Sequence, residues 1–181
     1  YAVMVTTTGA GYSRCGAVAI GRWREDVTCD HWGQFIYIRA RQSGAVWSAG
    51  HQPIRSRARH YKTTFAEDKV EISRQDGDVL TRTEIVVSPG DNVELRCVSL
   101  TNTAREVRDF EVTSYMETVL ARPAEDDAHP AFSNLFIETE FVASENALFA
   151  TRRRRSATEE QIWGFHVAVV DGNVIAPSQY E

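Results

Sequence analysis

Cysteine is scarce in this sequence of 181 residues, which contains only Cys15, Cys29 and Cys97. An odd number of cysteines without paired spacing argues against a disulfide framework and fits a reducing compartment more simply. Cys29-Asp30-His31 has the residue types of metal ligands, but no second pair follows at zinc spacing and the other histidines are scattered. We therefore expect no metal site.

Long apolar runs and excess positive charge are missing too. No run approaches the roughly 20 apolar residues that a membrane-spanning helix needs. The net charge of −5 argues against a general nucleic-acid binder, which would carry a basic surface. The chain begins in a strand-like alternation, without an initiator methionine or a signal peptide. We expect residues 1–181 to be a single domain excised from a longer protein.

Sustained helical periodicity is absent, and short alternating or β-branched runs take its place. Strands are predicted at 1–6, 16–20, 33–40, 45–48, 61–66, 70–74, 79–88, 93–102, 108–120, 131–142, 148–153 and 163–170. Turns are predicted at 7–13, 75–78, 89–92 and 171–173, an acidic loop at 122–130, and one helical turn at 156–161 with Ser156 as its cap. Apolar residues on both faces of 93–102 predict a bulge or burial on both sides. The number and spacing of the strands are typical of an all-β antiparallel sandwich.

Aromatic rings and paired charges concentrate in residues 9–53. An indole offers a flat apolar ring and an arginine a fixed fork of donors, which a sugar site or a packed domain interface needs. Tryptophans of a sandwich ordinarily belong to its core, but the charged residues beside these would be costly to bury unpaired. The stretch therefore predicts a site or an interface. Its members are Tyr12, Arg22, Trp23, Arg24, Glu25, Asp26, Asp30, Trp32 and Trp47.

Other candidates for chemistry are weaker. Glu138 and Glu140 share one face of a predicted strand, where carboxylates are usually solvated. Gly9-Ala10-Gly11 is expected to be a turn, since no phosphate loop followed by a helix is present. The arginines at 152–155 alternate between two faces at a strand end, and form either a solvated rim or ion pairs with an acidic neighbouring domain.

Seven stretches, in order, carry a resemblance: GAGYSR, GRWREDVTCDHWGQFIYIR, VWSAGHQP, TEIVVSPGDNVELRCVSLTN, TSYMETVLARP, HPAFSNLFIETEF and ATRRRRS. Together they resemble the amino-terminal β-sandwich of glycoside hydrolase family 94, the cellobiose-phosphorylase-like enzymes formerly called glycosyltransferase family 36. Within that family the resemblance is closest to the carboxy-terminal region of bacterial cyclic β-1,2-glucan synthases. It extends from Tyr1 to about His166.

The resemblance implies a large antiparallel β-sandwich of the super-sandwich, galactose-mutarotase-like type, which such enzymes join to an (α/α)6 barrel. They cleave a β-glucoside with inorganic phosphate and invert the anomeric centre. Their catalytic aspartate and their phosphate site belong to the barrel. No catalytic residue and no cofactor is therefore expected in this chain, and inorganic phosphate would be a co-substrate bound outside it.

The implied role is to pack on the barrel, to shape the rim of its carbohydrate site and to take part in dimer contacts. The parent would act in β-1,2-glucan synthesis on the cytoplasmic face of the bacterial inner membrane. Cys15 stands where the family pattern often has tryptophan, which puts one stacking contact at the rim in doubt. Gly21 stands where the pattern often has threonine. The candidates for the substrate rim or domain interface are Tyr12, Arg22, Trp23, Arg24, Asp26, Trp32, His129, Phe132 and Asn134.

Three other interpretations stay open. A free-standing carbohydrate-binding module would need an exposed strip of tryptophans on one sheet face, whereas these tryptophans cluster around predicted loops. A small glycosidase would need two carboxylates facing each other across a cleft. A pure dimerisation domain would expose a large apolar patch in isolation.

Overall fold

The computed structural model of the protein describes residues 1–171 and 179–180, so the turn predicted at 171–173 lies almost wholly outside the described residues. Within them the chain forms fourteen strands and two short helices. No helix in this part is long and apolar enough to cross a membrane. The order is β1 (Ala2–Val5), β2 (Gly11–Cys15), β3 (Val18–Gly21), β4 (Phe35–Ala40), β5 (Val46–Ser48), β6 (His60–Phe65), β7 (Val70–Asp76), β8 (Val79–Val87), β9 (Glu94–Asn102), β10 (Phe110–Tyr115), β11 (Thr118–Ala121), α1 (Pro123–Ala128), α2 (Pro130–Asn134), β12 (Ile137–Val142), β13 (Ala147–Arg152) and β14 (Trp163–Val167).

The strands form four sheets with antiparallel pairing. Their orders are β1-β2-β3-β11, β10-β4-β5, β6-β7-β8-β9 and β12-β13-β14. Neighbours in the chain are mostly neighbours in a sheet, because short turns can join antiparallel strands directly. The predicted all-β antiparallel class is confirmed.

The hairpin β7–β8 turns where the sequence predicts it. Gly77 has a φ of +59°, a backbone conformation that glycine adopts without steric cost. The next pair, β8–β9, keeps one register from Val79↔Asn102 to Val87↔Glu94. The prediction of a bulge or of burial on both sides in 93–102 is therefore wrong in both forms. The strand simply alternates, and its apolar residue Leu95 is 61% exposed on the outer face.

The largest core cluster joins the β10-β4-β5 sheet to β8. Ile38, Trp47 and Val79 are buried in it, and the Phe110 ring packs edge-on against the Trp47 indole with centroids 6.2 Å apart. The indole Nε1 donates a hydrogen bond of 3.3 Å to Thr81 Oγ1, which satisfies the one polar atom that this side chain brings into the core. Trp47 is therefore a core residue and not part of an exposed site.

The single strand predicted at 108–120 is two strands in two sheets. β10 pairs with β4, whereas β11 pairs with β3. Met116 and Glu117 interrupt the run between them. Apolar residues occur on both sides of the break and no glycine or proline marks it, so the sequence pattern does not show that the partner strand changes.

The acidic loop predicted at 122–130 contains helix α1, and the strand predicted at 131–142 begins with helix α2. Pro123 and Pro130 occupy the first helical positions, where proline's fixed φ and missing N–H are well tolerated. Glu125 and Asp126 lie in the first turn of α1, where negative charge is favourable. Both helices are shorter than the window in which helical periodicity can be recognised.

Two local predictions are also wrong. The turn predicted at 7–13 ends earlier, since β2 starts at Gly11. Residues 156–161 form turns and bends but no helix. Glu159 Oε2 accepts the backbone N–H of Arg155 instead of that of Ser156, so the predicted capping pair does not form.

Shortening a buried side chain in the main core should destabilise the protein. Ile38 is fully buried, so Ile38→Ala is expected to lower the free energy of unfolding by roughly 2–5 kcal/mol through lost burial and a residual cavity. Val46→Ala is the control, because Val46 is 43% exposed and should lose under about 1 kcal/mol. Urea denaturation measures both, and equal losses would contradict this core assignment.

Candidate functional site

Arg22 is a buried charge at the end of β3. It is 7% exposed, and its backbone N–H donates to the Glu117 carbonyl at 2.8 Å. Its guanidinium group donates to both carboxylate oxygens of Asp126, with Nε–Oδ2 and Nη2–Oδ1 distances of 2.8 and 2.9 Å. Nη2 also donates to Asn134 Oδ1 at 2.6 Å, and Nη1 donates to the Glu117 carboxylate. We call these four residues the Arg22 network.

The Arg22 network fixes the charge states of its members. Burial alone would raise the pKa of Asp126, but hydrogen bonds from Arg22 and Ser133 outweigh it and lower that pKa below its usual range. The hydrogen bond to Asp126 in turn raises the pKa of Arg22. Both groups are therefore ionised at neutral pH, and the two-pronged pairing locks their relative orientation.

The residues after Arg22 carry the aromatic rings. The Trp23 ring packs edge-on against the Tyr12 ring with centroids 5.2 Å apart. Arg14 stacks on the Tyr12 ring, with its Cζ 4.1 Å from the ring centroid. Further along, the Arg24 Cζ lies 5.6 Å from the centroid of Trp32. Trp23 and Trp32 are both half-buried, so each leaves part of its ring at the surface.

Arg24 also connects this segment to α1. Its Nε lies 3.3 Å from Asp127 Oδ1, in an ion pair whose side chains are 36% and 56% exposed. Such a pair is worth little by itself because water screens it. The buried pairing two residues earlier, at Arg22, must therefore supply most of the attachment between the segment 22–32 and α1.

Phe132 and Asn134 lie on the same helix, α2, but have different contacts. Asn134 belongs to the Arg22 network, whereas Phe132 is 54% exposed and packs edge-on against Phe136 with centroids 5.1 Å apart. His129 contributes its carbonyl, which accepts the Ser133 N–H at 2.8 Å, and its side chain is exposed. The structure thus brings Phe132 close to the network without making it a member.

Not all of the predicted site residues meet. Tyr12 and Trp23 form one contact, Arg22 and Asn134 a second, and Arg24 and Trp32 a third. Asp26 lies apart in its own turn, where Oδ1 accepts hydrogen bonds from the N–H groups of Thr28 and Cys29 at 2.7 and 3.1 Å. His129 likewise makes no side-chain contact with the network among the described residues.

Sequence reasoning missed the two acidic members of the network. Asp126 is 3% exposed, although it belongs to the stretch 122–130 predicted to be an acidic loop. The available signal was that Arg22 would need a carboxylate if it were buried. Nothing in the spacing shows that Asp126 and Glu117, about a hundred residues away, are those partners.

The arrangement holds and positions side chains but offers little for catalysis. A small surface depression lies beside Trp23, lined also by Tyr12, Arg14 and Pro123. The carboxylates nearest to it, at Asp126 and Glu117, already serve Arg22. Glu138 and Glu140 are exposed as predicted, and no group of three side chains in the described residues could hold a metal ion.

The sequence matches one protein family along its whole length. The family model for the glycosyl hydrolase 94 supersandwich domain matches residues 1–181. The chain belongs to this family. The resemblance to glycoside hydrolase family 94 expected from the motifs is therefore confirmed, and with it the supersandwich fold of this domain.

Two relatives of the supersandwich domain are much longer than it is. The chain is 38% identical over 167 residues to the cyclic β-(1,2)-glucan synthase NdvB of Rhizobium meliloti (strain 1021). The aligned stretch covers 92% of this chain and 6% of that protein. It is 24% identical over 148 residues to solabiose phosphorylase of Paenibacillus borealis. This alignment covers 82% of the chain and 18% of that protein. The domain therefore spans a small part of the length of either relative.

Removing the charge of Asp126 should destabilise the domain in a pH-dependent way. Asp126→Asn leaves Arg22 buried without its two-pronged partner, and we expect a loss of about 3 kcal/mol at neutral pH. The folded-state pKa of Asp126 is depressed, so its stabilisation is present above the unfolded pKa of about 3.9 and is lost as the pH falls through the folded value. The difference between wild type and variant should shrink below about pH 4.

The control for this experiment is Asp127→Asn, the same substitution one residue later at a side chain that is 56% exposed. It should cost less than about 1 kcal/mol. Denaturant unfolding across the acidic range measures all three proteins. A gap between wild type and Asp126→Asn that stayed constant down to strongly acidic pH would rule out ionised Asp126 as the partner of Arg22.

Proposed function

We propose that this chain is the non-catalytic supersandwich domain of a bacterial β-glucan synthase or glycoside phosphorylase. The family match over residues 1–181 and the identity to a glucan synthase support this proposal. It is also supported by the small share of either relative that the domain covers, which leaves most of such a polypeptide to carry the chemistry. The carboxylates of the Arg22 network are committed to Arg22, which is consistent with a positioning role.

Within such a polypeptide, we propose that the domain packs on an (α/α)6 catalytic barrel and shapes the rim of its carbohydrate site. The observation that carries this is the Arg22 network. It ties Arg22, and with it the neighbouring Trp23, to α1 through Asp126 and to α2 through Asn134. Trp32 is held separately, because its carbonyl accepts the Gly11 N–H at 3.0 Å and Arg24 lies over its ring. Partly exposed rings on a rigid support suit the stacking of sugar rings or the packing of a neighbouring domain.

The remaining parts of the proposal concern the parent protein. The inorganic phosphate that reacts as co-substrate would be bound outside this domain, and the domain itself would need no cofactor. Its partners would be the barrel of the same chain, a β-glucan oligosaccharide and, in a dimer, a second copy. The parent would be anchored in the inner membrane, with this domain on the cytoplasmic side.

A carbohydrate-binding module is the second candidate, and one observation favours it. Trp163 and Phe165 lie two residues apart on β14 and are 60% and 61% exposed. Residues two apart on a strand point to the same face, so these rings form a short aromatic strip of the kind that binds sugar chains. The strip is on a strand, in contrast to Trp23 and Trp32, which are in the loop segment.

Calorimetric titration of the purified domain with β-1,2-linked glucooligosaccharides, with a phosphate-consumption assay alongside, separates the two candidates. We expect neither heat of binding nor turnover, because the site would need the barrel. Binding without turnover that disappears in Trp163→Ala would favour the carbohydrate-binding module. Turnover by the domain alone would disprove the main proposal, since it requires a complete active site within these residues.

The rim itself is tested in the full-length polypeptide that carries this domain. Trp23→Ala should lower kcat/KM for the oligosaccharide roughly tenfold or more, because a stacking contact or a packed interface is lost. Val107→Ala is the matched control, since Val107 is 88% exposed in the segment between β9 and β10. Equal activity of the two variants would remove Trp23 from the rim.

A further inference from the structure

Three arginines surround the ring of Phe136. The Cζ atoms of Arg152, Arg153 and Arg155 lie 5.4, 5.8 and 5.2 Å from its centroid. Guanidinium groups stack favourably on aromatic rings, and this attraction holds three positive charges around one point even though like charges repel. We call Phe136 and these three residues the Phe136 arginine cluster.

Arg152 anchors the cluster from inside the fold. It is 8% exposed, and its Nη1 donates to the Val119 carbonyl at 3.2 Å and to Ser133 Oγ at 3.1 Å. Its Nη2 is also buried but has no hydrogen-bond partner in the described part of the chain. A buried donor without a partner is costly. Burial, together with repulsion from Arg155, lowers the pKa of Arg152.

Carboxylates do not neutralise the cluster. In the described ranges its one ion pair joins Arg153 Nε to Glu138 Oε1 at 3.7 Å, with both side chains 60% exposed, so the pair is weak. Glu159 accepts the backbone N–H of Arg155. The carboxylates of Glu125, Asp126 and Glu159 act on Arg152 only through space, and Asp126 is already held by Arg22. In the described ranges Arg152 and Arg155 thus have no ion pair, and Arg152 keeps an unused buried donor.

We propose that the Phe136 arginine cluster binds a phosphate group, supplied by inorganic phosphate or by a phosphate monoester. A phosphate group carries a charge of about −1.5 to −2 at neutral pH and three acceptor oxygens, and planar guanidinium groups match its geometry in pairs of hydrogen bonds. A carboxylate offers one charge and two oxygens, which leaves more of the cluster unsatisfied. None of the cluster residues belongs to the Arg22 network, so this site does not depend on the proposed carbohydrate role.

Thermal unfolding and NMR of the arginine side-chain N–H groups test the site on the 181-residue protein. The probes are inorganic phosphate, glycerol 2-phosphate, acetate and chloride at matched ionic strength. With phosphate at roughly ten times a millimolar Kd, we expect Tm to rise by about 3 °C and the Arg152 and Arg155 signals to shift. Glycerol 2-phosphate distinguishes the two sources of the phosphate group. A site that accepts monoesters responds to both phosphate compounds, whereas a site for inorganic phosphate responds to that ion alone. Equal responses to acetate or chloride, or no shift of these signals, would overturn the proposal.

Two neighbouring variants provide the specificity test. Arg155→Gln should weaken phosphate binding about tenfold, the typical effect of losing a charge-assisted hydrogen bond. Arg154→Gln makes the same charge change at a residue outside the cluster and should alter binding less than twofold. Phe136→Leu removes the ring without changing charge and should also weaken binding. Equal weakening by Arg155→Gln and Arg154→Gln would mean that the phosphate responds to net charge alone, and the site would be rejected.

Discussion

A guanidinium group taken out of water needs fixed negative partners, and Arg22 has them from two directions. Asp126 reaches it from α1 and Glu117 from the break between β10 and β11. Desolvation of a charged pair consumes much of the attraction that the pair gains, so the network adds less to net stability than its short contacts suggest. What it adds is position: a helical segment and a loop are held against a sheet in one arrangement.

Burial divides the three tryptophans of residues 9–53 into two groups with different roles. Trp47 is enclosed between sheets, and its single polar atom is satisfied by Thr81. Trp23 and Trp32 keep partial exposure and have arginine or tyrosine neighbours. The sequence places all three in one stretch and cannot separate them, because an indole next to charged residues is compatible with either environment. Which indole is covered depends on the elements that pack against it in the fold.

Local rules were sufficient for much of the fold but not for the candidate site. The turn at Gly77 and the strands around it follow from neighbouring residues, and the motifs at Arg22 and Asn134 contain two members of the Arg22 network. The partners of Arg22 depend on contacts that span about a hundred residues, which no local pattern specifies. The helices α1 and α2 were missed for a different reason, since their signal is a proline and a few acidic residues and not a period.

The interruption at Met116 and Glu117 limits how this domain can change in length. The chain leaves one sheet there and enters another, while the carbonyl and the carboxylate of Glu117 both hold Arg22. One inserted residue would shift β11 against β3 and reverse which side chains face the core. Loop tips such as 41–44 and 66–69, where the chain stays within one sheet, can accept insertions. Length variation is therefore expected to concentrate at the hairpin tips and to be rare at Met116 and Glu117, where the chain passes from one sheet to another.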